Sequence, residues 1–436
     1  MENGNLKDIP PSHPLNLPPS GRSAMLWDES FLWGVMAHKA LHACGLACDL
    51  IRAEDVKKQN LSDYSLLFVP GGWASNKVKA LGNDGIEEIK RFVRDGGAYL
   101  GFCGGAGLAT MDGIGLVPVK RRPTKDRVPS FSGRIGLKIT DHPVWEGLKN
   151  SELGTLNSEL VFHAWWPSQF VIDGPVNVLA AYAGALPDSF SSDVNVGDAA
   201  AAGSWSELER LYQINLDPRR LCGEPAVIEG RFGEGKVLLS LVHFDTPGDG
   251  NGAKALGNIW RYLGCDQQTA DAAMPENPGR HSRGESGHPL MPELEAAACG
   301  LIDLGLRNFL WFWRNPMLLQ WRRGVRGLEY CTLFVMVREL AELLGMHNRK
   351  REIPDLDRGL ERIRDLLLPF AEKAQRLLVR ERFAMQNSHI TYERCDDAEI
   401  QMIREELFSR SKSHGGLFKE LIDEIDGLLY SALTQL

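Results

Sequence analysis

The stretch Ala98-Tyr-Leu-Gly-Phe-Cys103-Gly-Gly-Ala-Gly107 decides the fold. An apolar, strand-like run ends at Cys103, with glycines at Gly101, Gly104, Gly105 and Gly107. A chain that reverses sharply from strand into helix needs residues without Cβ around the bend, because the turn uses backbone angles that side chains disfavour. G-x-nucleophile-x-G is the signature of such an elbow, which holds its apex side chain above the sheet edge. Gly101-Phe-Cys-Gly-Gly105 puts a cysteine at that apex. The same letters also describe a buried cysteine closing a core strand beside a glycine-rich turn, and this segment alone leaves both readings open.

Outward from the elbow, strands alternate with helices. Apolar runs at residues 23–27, 48–51 and 64–69 read as strands, with helices over 30–43 and 85–94. The second helix is amphipathic through Ile86, Ile89 and Val93, and Gly96-Gly97 stops it. This order predicts an α/β fold with a mostly parallel sheet and helices on both faces. Sites in such sheets lie at the carboxyl ends of the strands. The loop Pro70-Gly71-Gly72 and Cys103 are both expected there, as neighbours.

Past Leu116 the pattern shortens to β-like runs at 134–139, 160–163, 176–182 and 226–228. A polar, alanine-rich insertion over 184–224 carries one predicted helix near 205–212. Residues 235–243 form a strong buried strand and 254–263 a closing helix. Residues 266–291 are rich in Pro, Gly, Ser and charge and read as a linker. From 292 to 436 the signal is helical only, so an all-α bundle follows the sheet domain of 22–265. Residues 1–21 hold a proline-rich arm without a secretory pattern.

The 436 residues carry a net charge of −8, with 43% hydrophobic and 24% charged residues. That balance describes a soluble globular protein and excludes a general nucleic-acid binder, which needs a basic surface. Eight cysteines without regular spacing read as reduced thiols in a cytoplasmic protein. His38, His42, Cys44 and Cys48 share a predicted helix and its end, but match no zinc spacing and read as packed side chains. No metal or cofactor is expected. The aromatic and arginine-rich segment 307–326 reads as an amphipathic helix packed on the bundle, or as a surface that docks a protein partner, binds an anionic ligand or touches a membrane interface. No apolar run is long enough for a transmembrane segment.

A cysteine nucleophile needs a base, a group that orients the base, and donors for an oxyanion. His243 ends the strand at 235–243 and so emerges on the same rim as Cys103. Asp245 lies two residues later, where extended geometry returns its side chain to the same side. Gly71, Gly72 and Gly104 offer unencumbered amides. His163, within Phe162-His-Ala-Trp-Trp-Pro167, reads as a packed core histidine or as pocket lining. Glu29 reads as a solvated loop carboxylate or as facing the site, and Asp249 as the cap of the closing helix.

The Pro70-Gly-Gly72 loop, the elbow at 96–107 and the segment 233–245 resemble the class I glutamine amidotransferase-like fold. They are most similar to the N-terminal domain of biotin-protein ligase, whose elbow reads close to GGxYLGFCAGAY. The resemblance spans roughly residues 22–265 and implies a flavodoxin-like sheet, with Cys103 as nucleophile, His243 as base and Asp245 as its partner. Two positions depart from it. Glutamine-hydrolysing members carry His-Pro-Glu where this chain has His243-Phe244-Asp245, and a glutamine where it has Gly107. Ordinary glutaminase activity is therefore not expected, nor is biotin transfer, since no Gly-Arg-Gly-Arg-like loop occurs. Two functions are consistent with these residues. One is a cysteine-dependent hydrolase or amidotransferase acting on an amide or related acyl group of a small molecule or peptide. The other is a non-catalytic module that binds such a ligand and is coupled to a helical partner-binding domain.

Overall fold

The computed structural model describes residues 21–58, 60–148, 159–265, 288–346, 353–387, 390–392, 395–410 and 413–435. The proline-rich arm, save residue 21, and the linker up to residue 287 lie outside the described residues. The first half of the sheet region follows the expected alternation: β1 (Ser23–Leu26), α1 (Leu32–Ala43), β2 (Asp49–Ile51), α2 (Ala53–Lys57), β3 (Leu66–Val69), α3 (Ala74–Arg94) and β4 (Ala98–Phe102). Helix α3 starts at Ala74, well before the expected residue 85, and kinks at Gly82 with φ 59. Its polar first half carries too few apolar residues to betray a helix in the sequence.

Next come α4 (Gly104–Ala109), β5 (Val119–Arg121), β6 (Phe131–Ile139), β7 (Glu159–Trp165), β8 (Phe170–Ile172), β9 (Asn177–Ala185), β10 (Phe190–Ser191), β11 (Val194–Asn195), α5 (Val196–Ala202), α6 (Trp205–Tyr212), β12 (Pro225–Phe232), β13 (Gly235–Ser240) and α7 (Gly250–Tyr262). The insertion at 184–224 thus holds two helices and two short strands rather than one helix. Strands β2-β1-β3-β4-β13 are parallel and form one half of the sheet. The other half, β12-β9-β6-β10-β11 with β7 also on β6, is antiparallel. Every residue of β1, β3 and β4 is buried, as strands covered on both faces must be.

The helical region holds α8 (Met291–Arg307), β14 (Trp311–Asn315), β15 (Leu318–Trp321), α9 (Gly327–Met346), α10 (Leu356–Asn387), α11 (Ala398–Phe408) and α12 (Gly416–Thr434). Strands β14 and β15 replace the helix expected over the aromatic segment. They pair antiparallel, Trp311 against Trp321, around a turn at Asn315-Pro316 in which Asn315 Oδ1 accepts from the Met317 amide at 2.8 Å. Pro316 breaks any helix there, and burial of Trp311 beside the 45% exposed Phe312 follows a two-residue period. Behind the hairpin, Tyr330, Phe370, Phe408 and Phe418 pack as rings, and Arg404 meets Glu381 in a buried ion pair at 2.7 Å.

The helical region lies against the sheet region along α1, β2 and the ends of β1 and β7. Lys39 pairs with Glu339, and Arg52 with Asp426 at 3.3 Å. The Tyr430 hydroxyl donates to the Leu50 carbonyl at 3.3 Å. Gln320 on the hairpin binds the Ser132 hydroxyl at 2.8 Å and donates to the Ser192 carbonyl at 2.6 Å. Among the described residues no helix is long and apolar enough to cross a membrane.

Candidate active site at Cys103

Cys103 stands between β4 and α4 with φ +46 and ψ −99. Such a backbone costs a non-glycine residue about 1–3 kcal/mol and persists only where its surroundings enforce it. The enforcement comes from backbone packed against backbone. A Cβ on Gly104 would lie 1.9 Å from the Gly72 carbonyl oxygen, and one on Gly72, at φ +114, would lie 2.3 Å from the Glu29 carbonyl oxygen. The two glycine loops expected to be neighbours therefore touch directly. The Cys103 amide donates to the Ser240 carbonyl at 2.8 Å, which ties the elbow to the end of β13.

Strand β13 stops at Ser240, so His243 and Asp245 belong to a turn rather than to the extended strand expected from the sequence. The turn still brings them together: His243 Nδ1 lies 2.9 Å from Asp245 Oδ1, with both side chains buried. A carboxylate at Nδ1 fixes the proton there and leaves Nε2 as the free ring atom. Two bonds anchor the turn. The His243 amide donates to the His163 carbonyl at 2.8 Å, and the Thr246 hydroxyl donates to the His243 carbonyl at 3.0 Å. Thr246 in turn accepts from the Trp165 indole at 3.0 Å.

Burial by itself lowers the pKa of His243. The adjoining Asp245 charge and hydrogen bond outweigh it, Cys103 adds to them, and the value rises to about 10. His243 Nε2 makes no hydrogen bond within ordinary geometry, and the Cys103 thiol instead donates to the Trp165 carbonyl at 3.9 Å. Thiol and imidazole thus sit within reach of each other, at the margin of a hydrogen bond that itself helps to raise the His243 pKa. Trp33 covers the imidazole at 4.8 Å, and Gly71 has no side chain because a Cβ there would meet the Trp33 ring at 2.9 Å.

The remaining candidates fall in different places. His163 Nδ1 lies 2.8 Å from Asp249 Oδ2, and its ring stacks on Trp165 at 5.6 Å. Asp249 also caps α7, accepting from the Gly252 amide at 2.8 Å, as expected. Glu29 does not stand free in solvent: its carboxylate is held by Asn76 at 3.0 Å and Lys419 at 3.1 Å. Among the described residues no group of three or more His, Cys, Asp or Glu side chains is placed to hold a metal ion.

The two departures have structural explanations. Phe244 packs inward among Phe102, Phe162 and Trp145, at 5.6, 5.1 and 6.1 Å. Above Gly107 runs Arg121, whose Nη1 lies 3.3 Å from the place of a Cβ. Arg121, Arg127, Tyr182 and Trp33 are part of these surroundings without any mark in the sequence. Each lies on another element than Cys103 and carries no local pattern.

Residues 47–112 match the family model for the N-terminal region of biotin-protein ligase, a span that includes the Gly72 loop and the elbow but not His243. Among solved structures, PurLQS from Thermotoga maritima is 16% identical, with 56% of this chain and 100% of that chain covered and a TM-score of 0.38. A Thermoplasma acidophilum protein assigned to GMP synthase is 12% identical, covering 56% of this chain and 94% of that one, with a TM-score of 0.36. The chain is thus similar, over its Gly72 loop and Cys103 elbow, to the N-terminal region of biotin-protein ligases.

Proposed function

We propose that residues 22–265 form a glutamine amidotransferase-like domain in which Cys103 attacks the carbonyl carbon of an amide or related acyl group, and that residues 292–436 form a helical domain. The observation that carries the reading is the strained Cys103 elbow set beside an imidazole whose Nδ1 is held by Asp245 at 2.9 Å. With its pKa raised to about 10, His243 holds the thiol's proton on Nε2 as an imidazolium, and the thiolate paired with it adds to the carbonyl. The oxyanion so formed is received by the amides of Gly72 and Gly104. His243 then protonates the departing amine, and water, deprotonated by the same imidazole, releases the acyl group as a carboxylic acid. This chemistry uses only protein groups and water. All eight cysteines are free thiols, which supports a reducing compartment such as the cytoplasm.

Iodoacetamide labelling of Cys103 against pH tests the reading. Rapid labelling at pH 6 that is lost in His243→Ala is the expected result. Labelling confined to the range of an unperturbed thiol, above about pH 8, in both proteins excludes an activated nucleophile. That second outcome favours a non-catalytic binding module coupled to a partner-binding helical domain. One observation speaks for this alternative: the thiol's hydrogen bond of ordinary geometry goes to the Trp165 carbonyl, at 3.9 Å.

A further inference from the structure

We propose that the ligand of this site is an anion, its carboxylate or phosphate seated by Arg121 and Arg127 beside the Cys103 thiol. That the anion belongs to the acyl substrate rests on the reading above; the anion seat itself does not.

Arg121 ends β5 and crosses the elbow helix, with Cδ and Nη1 both 3.3 Å from where a side chain on Gly107 would begin. Gly107 is one turn past the elbow, its amide donating to the Cys103 carbonyl at 2.9 Å. Arg127 approaches from the loop after β5. Its Nη1 donates to Ser168 Oγ at 2.8 Å, three residues beyond the Trp165 carbonyl that accepts a hydrogen bond from the thiol. The guanidinium of Arg127 and the phenol of Tyr182 both lie within electrostatic reach of Cys103.

Three unsatisfied atoms on the elements that reach the elbow are of one kind. Arg121 Nε, Arg127 Nε and the Tyr182 hydroxyl are all buried without a hydrogen-bond partner, and Tyr182 as a whole is 1% exposed. All three are able to donate. Two carboxylates near these arginines are already engaged, while Asp245, bound to His243 through Oδ1, keeps Oδ2 buried without a partner. Glu224 binds Arg122 through both oxygens, at 2.8 and 2.9 Å. Asp112 accepts from the Arg121 backbone amide at 2.6 Å and stands 4.0 Å from Nε. Arg127 forms no ion pair with a carboxylate among the described residues. Buried donors left unmade beside the elbow are completed by an acceptor-rich ligand. Planar guanidinium forks match carboxylate and phosphate oxygens in particular.

Iodoacetate and iodoacetamide are nearly the same size and differ by one negative charge. Their rate ratio at Cys103, read by mass spectrometry on the full chain, divides out how much thiolate is present. The ratio is expected to exceed that of glutathione by roughly tenfold, the worth of one charge-assisted hydrogen bond. It should collapse to the glutathione value in Arg127→Met and recover in part in Arg127→Lys. A wild-type ratio at or below that of glutathione overturns the proposal, as does a ratio unchanged in both Arg127→Met and Arg121→Met. If Arg127→Met does not fold, Arg121→Met and competition on the wild type decide. Protection of Cys103 from iodoacetate by sodium acetate or by inorganic phosphate supports the seat and says which anion fits, while protection by neither overturns it. A high ratio without labelling at pH 6 keeps the anion seat and removes the nucleophile; a glutathione-like ratio with labelling at pH 6 does the reverse.

Discussion

The carbonyl oxygen of Gly72 occupies the space in which a Cβ on residue 104 would have to lie, at 1.9 Å. The close approach of these two backbones is what holds Cys103 at φ +46. Gly104→Ala must therefore push the loop and the elbow apart. The expected cost is about 3 kcal/mol or more, in the range reserved for forced backbone rearrangement. Gly184→Ala serves as control, because nothing stands within 4 Å of a Cβ there. Urea titration should place the control within about 0.5 kcal/mol of wild type. Equal stabilities for the two variants would mean that the loops do not touch.

Asp245→Asn gives a pH-dependent effect of definite sign. The folded pKa of His243 is raised from 6.5 to about 10. The stability that Asp245 confers through it is therefore fully present below about pH 6.5 and is lost as pH climbs through about 10. Between those limits wild type should lose up to about 1.4 kcal/mol per pH unit relative to Asp245→Asn. Urea midpoints at pH 7, 8 and 9 measure it, and parallel curves would refute the imidazolium–carboxylate pair.

Lys77 predicts the opposite slope. Its ammonium is buried, donating to the Asp28 carbonyl at 2.9 Å and to Ser30 Oγ at 2.5 Å. Burial drives its pKa from 10.5 down to about 7, against the pull of Asp28, Glu29 and Asp426. The unfolded chain therefore binds the extra proton between about pH 7 and 10.5. Wild type should gain stability relative to Lys77→Met as pH rises through that window, by up to about 1.4 kcal/mol per unit. Chemical denaturation at pH 7 and pH 9 suffices, and a flat difference rules out a neutral buried amine.

Much of this is legible in the chain. The parallel half of the sheet announces itself through continuous apolar runs such as Leu66–Val69 and Ala98–Phe102, and the glycines around Cys103 mark the turn between them. His243 and Asp245 are legible as a pair, but for a different geometric reason, since a turn rather than a strand joins them. The hairpin Trp311–Trp321 reads as helix because helical neighbours on both sides mask its two-residue period. Arg121, Arg127 and Tyr182 are beyond reach. Only tertiary folding brings β5, its following loop and β9 to the elbow, and single polar residues on such elements carry no periodic signal.

The hairpin gives a further prediction. Gln320 binds both the Ser132 hydroxyl and the Ser192 carbonyl, and it is buried. Gln320→Leu strands the buried Ser132 hydroxyl, at a cost of about 1–3 kcal/mol, and the half-buried Ser192 carbonyl at less. Adding Ser132→Ala should return part of that loss. A double variant no more stable than Gln320→Leu would show that Ser132 finds another partner.

A row of aromatic rings runs from His243 through Trp33 and Trp166 to Trp321, with centroid spacings of 4.8, 6.1 and 4.8 Å. Nearby, Trp27 meets Tyr430 at 6.4 Å and Phe31 meets His414 at 5.3 Å. Three of these contacts, Trp166 to Trp321, Trp27 to Tyr430 and Phe31 to His414, join residues on opposite sides of the linker. A gene cut there would yield two products, each with a strip of naked indole and phenyl rings that water does not tolerate. Each part therefore depends on the other to keep those rings out of water.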